Sequence, residues 1–388
     1  AALGYANDSV NTSNGVTGSG TIGVNSGSTL KLTGALGTTG LVTINTGGVL
    51  DLNGQSSTSS ISLSGTGISS AGALINSSAT AATQSGDVTL AGATSIGGTG
   101  NITISGIISG SNALTKVAAN TLTLSGANTY TGSTTISAGT LSISAANNLS
   151  GAAVTINGGT LVSTGTATIA NAITLGAGGG TIAAASGQTL TANGIISGSG
   201  ALTVGSATNT GTVVFGNASN ALTGGTTINT GTLSISAAGN LGAAASNAIN
   251  LTNGGTLVSA GTTTIANNIS IGAGGGTIAA ASGQTLTASG IISGANALTV
   301  GSAGNTGIVA LSGANTYTGS TTISAGTLQL NPGGTISSSS SIINNAALVY
   351  ANNIVNTANG VTGSGTIGVN SGSTLQLTGA LGTTGLVT

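Results

Sequence analysis

Along much of the chain single aliphatic residues alternate with hydroxyl residues, as in Thr121-Leu122-Thr123-Leu124 and Thr140-Leu141-Ser142-Ile143. A period of two places Leu and Ile on one face of a strand and Thr and Ser on the other. Clusters such as SGAN, NGG, GAGGG and SAG interrupt the alternation every few residues and supply the positive φ that tight corners need. Ala is the sole abundant helix former, and no stretch reads as a convincing helix.

The pattern is itself repeated on three scales. Ala1 to Thr43 returns at Ala346 to Thr388 with five changes, Gly4/Val349, Asp8/Asn353, Ser9/Ile354, Ser13/Ala358 and Lys31/Gln376. The phrases TTISAGTL at Thr134, TTINTGTL at Thr226 and TTISAGTL at Thr321 form a middle scale, as do the copies of GGGTIAAASGQTLTA at Gly178 and Gly274. At the shortest scale Leu161, Ile182, Leu202 and Leu222 open similar phrases about 20 positions apart. Repeats of this length mark an architecture in which one unit stacks on the next.

Short strands, glycine corners and a step near 20 residues predict an all-β fold, a parallel β-helix or β-solenoid with about 20 residues per coil and, from 388 residues, about 19 coils. The expectation for domain organisation is one continuous solenoid over 1–388, cut as a window from a longer tandem array. Its super-repeat spans 345 residues, and 1–43 is duplicated at 346–388. Related modules lie near 112–144, 201–235 and 296–330.

The phrase NALTKVAANTLTLSGANTYTGSTTISAGTLSIS, Asn112 to Ser144, resembles the autotransporter-associated β-strand repeat of bacterial type V passenger domains. Asn296 to Leu330 keeps NALT and SGANTYTGSTTISAGTLQL with Val300 in the place of Lys116, and Ala201 to Ile235 is a degenerate copy without the tyrosine. The resemblance implies a right-handed β-helix, export to the outer cell surface and usually a C-terminal barrel translocator.

Composition narrows the chemistry. The 388 residues hold Lys31, Lys116, Asp8, Asp51 and Asp87 as their only charges, with no His, Cys, Met or Trp and a mean hydropathy of +0.46. Disordered chains combine low hydropathy with high net charge, so this one is expected to fold. Two lysines cannot form the basic patch that nucleic acid or lipid head groups require, so no nucleic-acid partner is expected. No run of ~18 apolar residues occurs, so no membrane insertion is expected in this segment. The stretch AALGYANDSV has neither the basic nor the apolar region of a secretory signal.

The candidate motifs reduce to structural readings. Gly18 to Gly23 and Gly363 to Gly368 satisfy GxGxxG, but no helix or downstream acid accompanies them, so they are expected to be turn glycines and no cofactor is expected. Asp8, Asp51 and Asp87 are candidates for a carbohydrate-hydrolysing pair. Their spacing of about two coils each favours solvated turn aspartates. The glycine-rich stretch at Gly176 lacks the recurring Asp of a calcium nonapeptide, so no metal is expected. Lys116 is expected to pair with Asp87 or to anchor a turn. Tyr5, Tyr130, Tyr317 and Tyr350 are expected at corners with the ring packed and the hydroxyl wet, and glycan stacking is the alternative. Outward Thr-x-Thr pairs at Thr121/Thr123, Thr166/Thr168, Thr189/Thr191, Thr262/Thr264 and Thr285/Thr287 raise an ice-binding face, which Ala201-Leu202-Thr203-Val204 interrupts.

No catalytic residue is expected, and the chain is expected not to be an enzyme. A nearly uncharged array should vary little in stability with pH or salt. The expected function is an extracellular structural protein of a bacterial surface, an elongated stalk or filament in adhesion, biofilm or cell-cell connection. Its expected partners are itself, end to end or as continuation of the same chain, and surface glycans or other cells. A carbohydrate-binding or carbohydrate-active β-helix and an ice-binding solenoid are the alternatives.

Overall fold

A computed structural model describes residues 3–5, 9–12, 16–351, 354–357, 360–377 and 379–388. The chain forms two compact units, Ala1–Thr181 and Ile182–Thr388. Both are built from strands of mostly three to five residues joined by corners, and the strands of the described residues pair in parallel. Helix is confined, among the described residues, to short 3-10 turns at Ile68–Ser70, Ala146–Asn148 and Ala238–Leu241.

Alternation in the sequence becomes alternation in space. The strand Thr121–Leu124 buries Leu122 and Leu124 and leaves Thr121 and Thr123 half-exposed. In the first unit Leu122 lies in register with Leu141, and Leu141 with Leu161, so that one aliphatic column runs from turn to turn. In the second unit Val213, Leu233, Leu257 and Ile278 form the equivalent column. All of these side chains are fully buried. At about 1.5–3 kcal/mol for each large aliphatic removed from water, the columns are the main source of cohesion.

The corners need glycine where the turns stack most closely. Gly139, in the SAG phrase, has φ of 63°, and a Cβ there would lie 2.4 Å from the carbonyl oxygens of Ala118 and Asn120. Gly326 in the second copy has φ of 67° and the same crowding.

The solenoid has about 17 turns of ~21 residues, fewer and longer than the 19 coils of 20 expected from the repeat. Turn length is not constant. Side chains on adjacent turns are 20 positions apart at Asn25 and Asn45 but 24 apart at Asn229 and Asn253. A longer excursion runs from Ile61 to its partner Val88 and contains the 3-10 turn Ile68–Ser70; there the ladder holds register from Ile61 to Leu63 and shifts between Leu90 and Thr94.

The duplicated ends fold alike. Val16, Thr17 and Gly18 pair with Leu36, Gly37 and Thr38, and in the copy Val361, Thr362 and Gly363 pair with Leu381, Gly382 and Thr383. Ser9–Thr12 on Thr29–Leu32 is likewise repeated as Ile354–Thr357 on Thr374–Leu377.

Candidate functional site

The polar residues that matter most are inside. In the SGAN phrase Asn128 is buried; its Oδ1 accepts the Ile108 N–H at 2.8 Å and its Nδ2 donates to Asn148 O at 2.5 Å. Each partner lies 20 positions away, one turn behind and one turn ahead, so a single carboxamide ties three turns together. Asn220 repeats this with Ile196 N–H and Asn240 O, and Asn315 with Ile292 N–H and Thr335 O. Asn148 and Asn240 in turn accept the N–H groups of residues three and four positions earlier and donate one turn back, to Gly126 O and Asn217 O. A buried carboxamide is tolerated only when its donors and acceptors are matched, as here. Sequence reading took these asparagines for turn punctuation. Their recurrence at one place in three modules was the available signal.

Tyrosine has a related task. In TYTGSTTI the strand Thr134–Ile136 points Thr134 inward, where its hydroxyl needs a partner. Tyr130 shares a 2.7 Å hydrogen bond with it, and Tyr317 shares one of 2.6 Å with Thr321, which also meets Ser339 Oγ at 2.9 Å. In the degenerate module without tyrosine, Thr226 donates instead to Asn247 Oδ1 at 3.1 Å. The expectation of a wet hydroxyl is therefore corrected: Tyr130, Tyr317 and Tyr350 are wholly buried, the first two beside the inward threonines Thr134 and Thr321 and the third in register with Leu330. Burial pushes Tyr317 up to about 12, against the opposing pull of its bond to Thr321, and raises Tyr350. The Tyr350 hydroxyl is buried with no hydrogen-bond partner among the described residues. The side chain of Tyr5 lies outside the described residues. None of the three buried rings presents a face on which a sugar could stack.

Lys116 ends the strand Leu114–Lys116 and anchors a turn. Its Nζ donates to Val117 O at 2.5 Å, Ala118 O and Asn120 Oδ1 at 2.8 Å, and Ala138 O on the next turn at 3.4 Å. Ala118 carries a positive φ of 63°, and the ammonium holds the carbonyls of that strained corner. Desolvation lowers Lys116 to about 8.

The aspartates do not converge. Asp51 is buried, contrary to the solvated turn expected, because Ser77 of the neighbouring turn covers it. It accepts the N–H groups of Asn53 and Ser77 and, at 2.6 Å, the Ser77 hydroxyl. Asp87 is exposed and accepts the Ile107 N–H. Asp8 lies outside the described residues. Both GxGxxG segments run from strand to strand: Gly18 ends Val16–Gly18 and Gly23 sits within Ile22–Val24. Grooves beside Tyr130 are shallow and lined by Asn128, Thr131, Ser150 and Asn171 among others, with no charged residue among their lining.

The outward threonines form a column. In the second unit Thr189, Thr212, Thr232, Thr256, Thr277, Thr299 and Thr322 follow one another in register. The neighbouring column holds Thr191, Val214 and Ser234 and then the buried Val258 and Ala279, so the paired Thr-x-Thr rows anticipated for an ice-binding face are not built there.

Taken together, the site is a set of internal ties within a parallel β-solenoid made of tandem repeats. Four segments, 114–143, 140–162, 206–235 and 304–330, match the family model of the passenger-associated-transport-repeat. They overlap the three modules that carry the buried asparagines, and these segments are thus similar to the passenger-associated-transport-repeat, in agreement with the resemblance read from the sequence. Compared with curated proteins, the chain matches none. Repeat and fold together fit an extracellular passenger segment at the bacterial surface. No helix among the described residues is long and apolar enough to cross a membrane.

Proposed function

We propose that this chain is a structural segment of a bacterial surface passenger, a stalk or filament that gives reach in adhesion or cell-cell connection and carries out no catalysis of its own. The observation that supports this reading is where the polar side chains of the repeats are used. Asn128, Asn220 and Asn315 face inward and bind neighbouring turns, Tyr130 and Tyr317 face inward onto a threonine four positions on, and Lys116 holds the polar groups of its own corner, which leaves an outer surface mainly of Thr, Ser, Gly and Asn. A scaffold so arranged gains order with every turn added, as expected of nearest-neighbour stacking.

The test is to place an epitope tag in an exposed corner, for example at Gly187, and treat intact cells with a broad-specificity protease. Loss of the tag without lysis, together with reduced cell-cell attachment in a strain lacking the protein, is the expected result. A tag that survives until the envelope is broken would overturn the surface reading.

A further inference from the structure

At one layer of the first unit the aliphatic filling gives way to polar side chains. Leu36, Ser57, Gln84 and Ile104 follow one another in register. Leucine and isoleucine close the column on either side, and the serine and glutamine between them are both wholly buried. The sequence carries the cause: Ser56-Ser57-Thr58-Ser59-Ser60 is a run of five hydroxyl residues, where turns further along the same sheet carry Ile102 with Ile104 and Leu122 with Leu124. Ser57 keeps its place in the ladder through its backbone, its N–H donating to Thr83 O and its carbonyl accepting the Ser85 N–H. Ser59 is buried as well.

Three polar atoms of this layer are left over. Gln84 Nε2 donates to Ser59 O at 2.7 Å and to Gly86 O at 2.9 Å, which uses both of its protons and draws the carboxamide against Ser59. Gln84 Oε1 and the hydroxyls of Ser57 and Ser59 are buried with no hydrogen-bond partner among the described residues. Buried groups that no side chain reaches are met in proteins by ordered water, which binds where about three such partners converge.

The chemistry of the three atoms fits that ligand. Gln84 Oε1 can only accept, whereas each hydroxyl can donate or accept, so a single molecule that does both satisfies all of them. Serine is two heavy atoms shorter than the leucine and isoleucine of its column, which leaves room for one water, whose share of liquid volume is about 30 Å3. Asp51 and Asp87, the acids nearest in sequence, are bonded to Asn53 and Ser77 and to Ile107, so a neutral ligand suits the site better than a cation. Tyr350 marks the contrast: its hydroxyl also lacks a partner, but its neighbours in register are the aliphatic Leu330 and Val369.

We propose that Gln84 Oε1 and the hydroxyls of Ser57 and Ser59 form a binding site for one buried water molecule, which joins the two turns carrying residues 57 and 84 where other layers are joined by leucine. The site is interior, so this inference and the whole-cell assay can fail separately.

A crystal structure of the whole chain that resolves ordered solvent should hold a density peak within about 3.2 Å of Gln84 Oε1 and of at least one of the two hydroxyls. A serine hydroxyl bonded directly to Gln84 Oε1, or a layer closed without such a peak, overturns the proposal.

Hydrogen exchange read by mass spectrometry tests it in solution. The Ser57 and Ser85 N–H groups bond across this layer and report its opening. Ser57→Ala combined with Ser59→Ala leaves the water only Gln84 Oε1, and exchange of these amides, corrected for intrinsic rates, should quicken at least about tenfold. Amides in the aliphatic layer of Leu122 and Leu141 should keep their rates. In a Gln84→Met background, where the acceptor is already gone, the same pair of substitutions should change exchange by about twofold or less. Unchanged or slower exchange in S57A/S59A overturns the proposal, because loss of hydroxyls without any partner is neutral or stabilising. So does an effect of equal size with and without Gln84, since the hydroxyls then act independently of it.

Discussion

The modules at 112–144 and 296–330 share the seventeen residues SGANTYTGSTTISAGTL but enter them differently, and the contrast separates what the repeat dictates from what its neighbours decide. Within the shared stretch the side-chain ties of the asparagine and the tyrosine are the same. Asn128 and Asn315 each bridge three turns, and Tyr130 and Tyr317 each meet the inward threonine four positions on. Before it, one module closes its corner with the buried ammonium of Lys116 over a strained Ala118. The other has Val300 followed by Gly301 at φ 76° and a tight loop in which Ser302 and Asn305 exchange backbone hydrogen bonds. A charge and a glycine-led loop are thus two solutions to one problem, the carbonyls left over where a strand ends.

The contrast breaks most visibly if the two solutions prove interchangeable. Val300→Lys puts an ammonium among groups that already have partners, and urea denaturation should show a loss of about 3–5 kcal/mol. A loss below about 1 kcal/mol would mean that the Lys116 corner needs no dedicated acceptors. Next in size, Asn128→Ala and Asn315→Ala each orphan one N–H and one carbonyl inside the protein and should cost about 2–4 kcal/mol apiece. Equal losses would sharpen the claim that the shared phrase acts independently of its surroundings.

A third effect is alkaline. The folded chain gives up the Lys116 proton near pH 8 whereas the unfolded chain holds it to about 10.5, so the unfolded state binds more protons between those values and stability rises with pH. The gain is about 2–3 kcal/mol by the linkage relation and should vanish in Lys116→Met. Above pH 10 the sign reverses in the second unit, because unfolded tyrosine ionises while Tyr317, raised to about 12, and Tyr350, also raised, stay protonated. Hydrogen exchange followed by mass spectrometry and corrected for intrinsic pH dependence would assign each limb to its unit.

The smallest effect compares tyrosines. Tyr130→Phe and Tyr317→Phe each lose a bond to a buried threonine and should cost about 1 kcal/mol, whereas Tyr350→Phe removes a hydroxyl that has no partner and should be neutral or slightly stabilising.

Strand alternation made the fold legible, since Leu122, Leu141 and Leu161 occupy the buried column that the period of two required. Turn length was less legible because insertions, as between Ile61 and Val88, lengthen a turn without disturbing the alternation of the strands around them. The site was read least well. Composition shows how few charged and aromatic residues exist but not which way they face, so Asp51 and the tyrosine hydroxyls are read as facing water. The inward turn of Thr134 could not be foreseen either, since its neighbour Thr135 has the same chemistry and the opposite orientation. A residue type that polar patterning assigns to the surface enters the interior wherever a second polar group arrives to meet it.

The span of Asn128 has a mechanical corollary. Its amide grips one turn while its carbonyl oxygen is held by another, so under a pulling force no single turn can peel away by unzipping its own backbone ladder alone. Rupture must spread across three layers at once, and the resistance of such a strand to tearing would then be set less by any one contact than by how often asparagine recurs along it.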